Sequence, residues 1–309
     1  MTPRRPIMRY HGGKWRIAPR FLQHFPPHER YVEPFGGGAG VLMRKPRDGI
    51  KAEVYNDLDG EVVNVFRVLR DPVLALRLKA MCELTPFARE EFNLSYEPSD
   101  DPIEQARRTI ARSFMAFGTT HRRASRTGFR AAQIQRNTTS AGDWRTWPEQ
   151  IVSYVDRLRG VVIENRPAIE CIRQQDSPTT LFYCDPPYPR STRTSLIGHG
   201  RKDGAYAHEM TDDDHRALAL ELRGISGMAI VSGYACALYD DELFPDWKRV
   251  KFATVADGAK RRTEVLWISP TAAVALKRQG LEWRPDDREP NPDQERDQGQ
   301  HDRREHHPI

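Results

Sequence analysis

The chain has 309 residues, 48 Lys and Arg against 43 Asp and Glu, and a formal net charge of +5. That length exceeds a disulfide-stapled mini-protein and accommodates a full α/β sheet domain with an insertion, while the mild basic excess permits a polyanionic partner without demanding one. No apolar run approaches the roughly 18 residues of a membrane span, and the basic amino terminus leads into no apolar signal segment, so no membrane association is expected and the location reads as cytoplasmic.

No internal repeat is evident. Tyr31-Val32-Glu33 reads as a short buried strand running into a glycine-rich turn, and Gly40-Val41-Leu42-Met43 resumes an apolar pattern as a helix would. Ala52 to Tyr55 reads as the next strand, and Leu58 to Leu69 carries Val62, Val65, Phe66 and Leu69 on one helical face. This β-α-β-α order implies a parallel sheet. From Asp71 to Gly160 the character changes. Pro72 to Leu84 and Ile103 to Phe117 read as helices, and Thr119 to Asn137 reads as a basic loop. Strand signals return at Val161 to Ile163, Leu181 to Cys184, Met228 to Ser232 and Glu264 to Ile268. A helix from Thr211 to Arg223 opens on Thr211 with Asp212, Asp213 and Asp214, a hydroxyl cap followed by acids that suit the positive end of the helix. The expected organisation is a sheet domain in two parts, 1–70 and 161–278, split by a helical and basic insertion at 71–160. The remainder, 279–309, has almost no apolar content and reads as a disordered tail, with His301, His306 and His307 solvated rather than ligating. Cys82, Cys171, Cys184 and Cys236 form no Cys-x-x-Cys pair, so they read as free thiols and no metal site is expected.

Five groups of residues carry chemistry. Glu33-Pro34-Phe35-Gly36-Gly37-Gly38-Ala39-Gly40 stands between a strand and an apolar segment, where glycines let the backbone turn tightly against a ligand. It lacks the Gly-Lys-Ser/Thr of a phosphate-cradling loop, and on its own it is equally a flexible turn. Asp57 ends the following strand ~20 residues later, the place of an acid that binds ribose hydroxyls, and it also suits a helix cap. Asp185-Pro186-Pro187-Tyr188 follows the strand ending at Cys184. Two prolines fix φ twice and remove two donors, leaving a stiff loop of acceptors beside an aromatic ring, a fit for a planar ligand bearing an amine. Tyr10-His11-Gly12-Gly13-Lys14 supplies a second aromatic and a cation, although alone it reads as a basic loop. The loop from Thr119 to Asn137 carries His121, Arg122, Arg123, Arg126, Arg130 and Arg136 with Gln133 and Asn137, a composition that suits phosphates and base edges.

Together these residues resemble the Dam-like, D12-class family of DNA adenine-N6 methyltransferases, from about Met8 to Ile268. Tyr10 to Lys14 is similar to the family's aromatic-x-Gly-Gly-Lys, Glu33 to Gly40 to its glycine motif, Asp57 to its acid after the second strand, and Asp185 to Tyr188 to its DPPY motif. Arg262 to Trp267 resembles its closing strand. Tyr10 departs from the Trp of many relatives, and the recognition region matches only around Arg126 to Phe129.

The resemblance implies a Rossmann-like, mostly parallel methyltransferase domain with an inserted target-recognition region, using S-adenosyl-L-methionine to methylate double-stranded DNA. Asp185, Pro186, Pro187 and Tyr188 would be catalytic, with the flipped adenine stacked on Tyr188 and its amine donating to Asp185 and the Pro186 carbonyl. Tyr10, Lys14, Glu33, Phe35, Gly36, Gly38, Asp57 and Asp185 would hold the cofactor, Lys14 at its methionine end and Asp57 at its ribose. Arg122, Arg123, Arg126, Arg130 and Asn137 would contact DNA. The family admits a partner restriction endonuclease. The competing readings are a cytosine-N4 methyltransferase, a non-catalytic DNA-binding relative and a nicotinamide-dependent oxidoreductase; the absent G-x-G-x-x-G order disfavours the last.

Overall fold

The β-branched and aromatic runs at residues 30–33, 52–56, 161–164 and 180–184 lie side by side as parallel strands, most of their side chains buried, as in the interior of an α/β sheet. The protein was analysed as a computed structural model describing residues 3–118, 126–131, 134–135, 138–192, 207–255 and 261–278. In chain order the elements are α1 (Ala18–Leu22), β1 (Arg30–Glu33), β2 (Ala52–Asn56), α2 (Gly60–Arg70), α3 (Pro72–Leu84), α4 (Arg89–Leu94), α5 (Pro102–Met115), β3 (Ile134–Gln135), β4 (Thr138–Thr139), α6 (Ser140–Thr146) and α7 (Ile151–Leu158). They continue with β5 (Val161–Glu164), α8 (Ala168–Gln175), β6 (Thr180–Cys184), α9 (Asp212–Gly224), β7 (Met228–Tyr234), a π-helical turn at Leu238–Leu243, β8 (Lys248–Val255), β9 (Arg261–Ile268) and α10 (Pro270–Arg278).

Seven strands form one sheet in the order β5-β2-β1-β6-β7-β9-β8. The first five are parallel, while β9 runs antiparallel to both β7 and β8. The strand order reverses between β1 and β6, and the crevice outside the carboxyl ends at such a reversal is where α/β sheets bind ligands. Alternate residues serve opposite faces. Tyr31, Leu181, Tyr183, Ile230 and Leu266 join a core shared with α2, α5, α7 and α10, and Val32, Phe182, Cys184, Val231 and Trp267 join a second core under α8 and α9.

The connection from β2 to β5 contains the helical insertion. Asp59, Asp71 and Asp101 cap α2, α3 and α5 through their carboxylates, and Pro72 and Pro102 occupy first-turn positions that need no amide donor. The helix-start signal at Thr211 is a full capping box with Asp214. Trp144, Trp147 and Tyr154 pack into the same core as the sheet's first face, so the insertion has no separate hydrophobic interior. Buried Glu53 of β2 ties it further, accepting from Arg157 of α7 at 2.7 and 2.8 Å.

The expected helix at Gly40 to Met43 is a run of turns instead. Pro46 has no amide to give the Leu42 carbonyl, so a helix cannot continue there, and Arg157 Nη2 donates to that carbonyl at 2.6 Å instead. The expected tail at 279–309 lies outside the described residues. Among the described residues no helix is long and apolar enough to cross a membrane, and no group of three or more His, Cys, Asp or Glu side chains is arranged to hold a metal ion.

Candidate active site

The glycine turn leaves β1 at Glu33 and folds back over the end of β2. Gly37 adopts φ +47°, the left-handed region, and its amide donates to Asp57 Oδ2 at 2.8 Å while its carbonyl accepts from the Tyr55 hydroxyl at 2.8 Å. A Cβ on Gly36 would lie 2.2 Å from the Tyr55 ring, so the turn can sit this close to β2 only without a side chain there. Tyr10 packs over the other side of the turn, since a Cβ at Gly37 would come within 2.7 Å of its ring.

Asp57 is thus a clamp as well as a candidate ligand. Its Oδ1 accepts from the Asp59 amide at 2.8 Å. Burial raises its carboxyl to about 6, against the lowering effect of the Asp59 and Gly37 amides. Glu33 is more deeply buried, and its Oε1 accepts from the Tyr31 hydroxyl at 2.7 Å. Desolvation pushes Glu33 up to about 8 in spite of that bond.

On the other side of the strand-order reversal, β6 delivers Asp185. Ser232 Oγ of β7 donates to Asp185 Oδ1 at 2.8 Å, and Lys14 Nζ lies 2.9 Å from Oδ2. The Lys14 ammonium also donates to the Gly12 carbonyl at 2.6 Å and sits 4.9 Å from the centroid of the Tyr188 ring. Tyr188 is only 4 % exposed. Its hydroxyl donates to Glu264 Oε2 at 2.7 Å, and the Tyr234 ring meets it at 77° with centroids 4.8 Å apart.

These elements enclose a cavity of about 320 Å³. Tyr10, Lys14, Glu33, Phe35, Gly36, Gly38, Asp57, Asp185 and Pro187 all reach it, together with Pro167, Ile169 and Leu218 from α9 and the start of α8. The floor is therefore acidic, the walls are apolar, and a lysine stands at one end.

The structure unites the candidate cofactor residues with the DPPY loop but engages two of them differently from expectation. Lys14 is paired with Asp185, and residues 10–14 line the same cavity as that carboxylate. Tyr188 is packed between Lys14 and Tyr234 rather than presented as an open platform. Of the basic residues, Arg126 lies over the Tyr96 ring at 5.1 Å and donates to Asn93 Oδ1 at 2.9 Å. Arg130 is 6 % exposed and donates through Nη2 to the Gly118 carbonyl at 3.1 Å, so its guanidinium lies largely buried within the insertion. Arg122, Arg123 and Asn137 lie outside the described residues. Sequence reasoning did not single out Ser232, Tyr234 or Glu264 as site residues. Their only linear signal is that they lie on or near the carboxyl end of a buried strand and on its antiparallel neighbour.

Comparison with known proteins agrees with this geometry. The family model for D12 class N6 adenine-specific DNA methyltransferases matches residues 10–217, which takes in Tyr10 to Lys14, the glycine turn, Asp57 and Asp185 to Tyr188. A DNA adenine methylase of Serratia marcescens is 26% identical over 107 residues, 32% of this chain and 38% of that protein. A DNA N-6-adenine-methyltransferase of Escherichia phage P1 is 27% identical over 66 residues, 21% of this chain and 8% of that protein. The matched stretches thus span well under two thirds of either relative. The family match, in contrast, covers more than half of this chain and every wall of the cavity as far as α9, and the chain therefore belongs to the D12 class N6 adenine-specific DNA methyltransferase family.

Proposed function

We propose that this protein is a site-specific DNA methyltransferase that transfers the methyl group of S-adenosyl-L-methionine to the N6 amine of an adenine flipped out of double-stranded DNA, acting in the cytoplasm on intracellular DNA. The observation that carries the reading is the shared space: Asp185 opens into the same cavity as the glycine turn, Glu33 and Asp57. A donor held by one side would face an acceptor held by the other.

The side chains present fit that cofactor. Asp57 and Asp185 give the cavity an acidic floor suited to a molecule carrying a sulfonium and an ammonium, Glu33 adds a buried carboxyl that keeps its proton to about pH 8, and Asp57 is the acid proposed to accept from the ribose hydroxyls. Phe35, Pro167 and Ile169 offer flat apolar walls to a heterocycle. When bound, the cofactor supplies an electrophilic methyl group on a positively charged sulfur.

Asp185 and the Pro186 carbonyl are acceptors on a stiffened loop, so they hold the two N–H bonds of an exocyclic amine and aim its nitrogen into the cavity. Asp185 also stands ready to receive the proton that the nitrogen sheds once it carries a fourth bond. Lys14 now occupies Oδ2 of Asp185, so the amine takes its place there or shares the oxygen with it. The Tyr188 ring gives the base an aromatic neighbour. No cysteine takes part: Cys184 is fully buried, and desolvation drives its thiol far from ionisation.

The test is product analysis. Unmethylated DNA treated with the protein and S-adenosyl-L-methionine is digested to nucleosides and is expected to yield N6-methyladenine. N4-methylcytosine without N6-methyladenine would assign the alternative chemistry. Asp185→Ala is expected to abolish transfer while DNA binding persists, and wild-type turnover in that variant would refute the role given to Asp185.

A further inference from the structure

The loop that carries Asp185 and Tyr188 is gripped at both ends by one pair of antiparallel strands. In β7 and β9, Ser232 pairs with Leu266 and Tyr234 with Glu264. Ser232 holds the acid of the loop, while the cross-strand pair Tyr234 and Glu264 holds its aromatic ring, one against the ring and one on the hydroxyl. All three contacts lie beyond the carboxyl end of the family match, which stops at residue 217.

The hydrogen bonds have a fixed direction. A carboxylate only accepts, so the single Ser232 proton goes to Asp185 Oδ1, and the Tyr183 hydroxyl, 2.9 Å away, must donate to Ser232 Oγ. Ser232 is fully buried and Tyr183 nearly so. The result is a two-step chain, Tyr183 to Ser232 to Asp185, in a dry setting where each bond polarises the next. It fixes one oxygen of the carboxylate and leaves the other, now held by Lys14, for exchange. At the opposite end, Glu264 is 8 % exposed, and its acceptance of the Tyr188 proton anchors the far end of the ring, whose plane is set by the Tyr234 ring packed against it.

We propose that Ser232 and Glu264 are positioning residues for methyl transfer, the first orienting Asp185 through Oδ1 and the second orienting Tyr188 through its hydroxyl. The inference rests on the function proposed above. Neither residue reaches the cavity that would hold the cofactor, so their loss is expected to act on turnover more than on cofactor affinity, which Ser232 can touch only through Asp185.

The experiment uses the full chain with unmethylated DNA and isotopically labelled S-adenosyl-L-methionine, and pairs steady-state kinetics with thermal melting. Ser232→Ala is expected to lower kcat by about tenfold to a hundredfold, the range for a lost hydrogen bond to a charged group, with a smaller change in the cofactor KM. Ser232→Thr keeps the hydroxyl in a strand that favours β-branched residues and is expected to restore most of that loss. Glu264→Leu and Tyr188→Phe each remove the hydroxyl–carboxylate bond and are each expected to cost about tenfold in kcat, and the double variant about as much as the larger single loss, because both remove the same interaction. Wild-type kcat in Ser232→Ala or Glu264→Leu overturns the inference, as does a double variant whose losses multiply. A rise in cofactor KM with kcat retained also overturns it, since that is the mark of a binding role. A wild-type protein that methylates no DNA brings down the functional reading itself, whereas an active wild type with unaltered variants brings down only this assignment.

Discussion

Replacing Gly36 by Ala tests whether the glycine turn is held by close approach to β2. The new methyl would stand 2.2, 2.5 and 2.9 Å from three atoms of the Tyr55 ring. Carbon atoms rest about 3.5–4.0 Å apart, so the ring or the turn must move by more than ~1 Å. The ring cannot yield cheaply. It is fully buried, stacked on Phe66 at 4.0 Å, and tethered by its hydroxyl to Gly37. Overpacking of this kind costs about 1–3 kcal/mol, and displacing the turn also strains the Gly37–Asp57 and Tyr55–Gly37 bonds, each worth about 1 kcal/mol. A loss near 3 kcal/mol corresponds to a fall in Tm of roughly 5 °C for a chain of this size. Calorimetric titration with S-adenosyl-L-methionine is expected to show weakened binding in parallel, because the amide of Gly37 and the carboxylate of Asp57 move together. Gly224→Ala is the control, since nothing lies within 4 Å of its added methyl, and it is expected to melt at or slightly above the wild-type temperature. A Gly36→Ala protein that melts within about 2 °C of wild type and binds cofactor equally well would refute the packing argument.

Three further outcomes follow from single contacts. Glu33 keeps its proton to about pH 8 when folded but releases it near its ordinary value of 4.5 when unfolded, so its contribution to stability falls as pH rises between those values, and Glu33→Gln is expected to flatten the Tm profile across that window. Arg157→Met strands the buried Glu53 carboxylate; Lys45 at 3.7 Å and Arg47 at 3.6 Å soften the loss, which urea denaturation is expected to place near the lower end of the ~3–5 kcal/mol typical of a broken buried pair. Arg126→Gln is expected to weaken DNA binding and to reduce the slope of log affinity against log salt by about one, as for one lost phosphate contact, and an unchanged slope would remove Arg126 from the interface.

Much of the site was legible because it is local. Strand, glycine turn and acid follow one another within a single β-α-β pattern, and two prolines beside an acid and a tyrosine announce a stiff acceptor loop. What stayed hidden depends on pairings that no window of sequence contains. Ser232 lies 47 residues from Asp185 and Glu264 76 from Tyr188, and each looks like any polar residue in a strand until β7 and β9 are placed beside β6. Gly40 to Met43 has a helical pattern, but the nearby Pro46 has no amide for the Leu42 carbonyl, and Arg157, 115 residues away, answers it instead. Arg130 shares the composition of its basic neighbours, yet the turn at Gly118 draws it inward. Apart from Pro46, a local signal that outranks the apolar pattern, the differences come from long-range contacts overriding local ones.

The amino-terminal segment joins two regions that the sheet keeps apart. The Trp147 indole and the Tyr154 hydroxyl both donate to the Pro6 carbonyl, Arg5 donates to Thr146 at 2.8 Å, and Arg9 pairs with Asp143 at 2.9 Å, so residues 5–9 are pinned to α6 and α7. A few residues further on, Lys14 touches Asp185. The segment works as a tie rod: one end is bolted to the insertion and the other bears on the Asp185 carboxylate. Cutting the bolts, as in Arg9→Ala with Arg5→Ala, is therefore expected to loosen the grip of Lys14 on Asp185, although neither arginine lines the cavity.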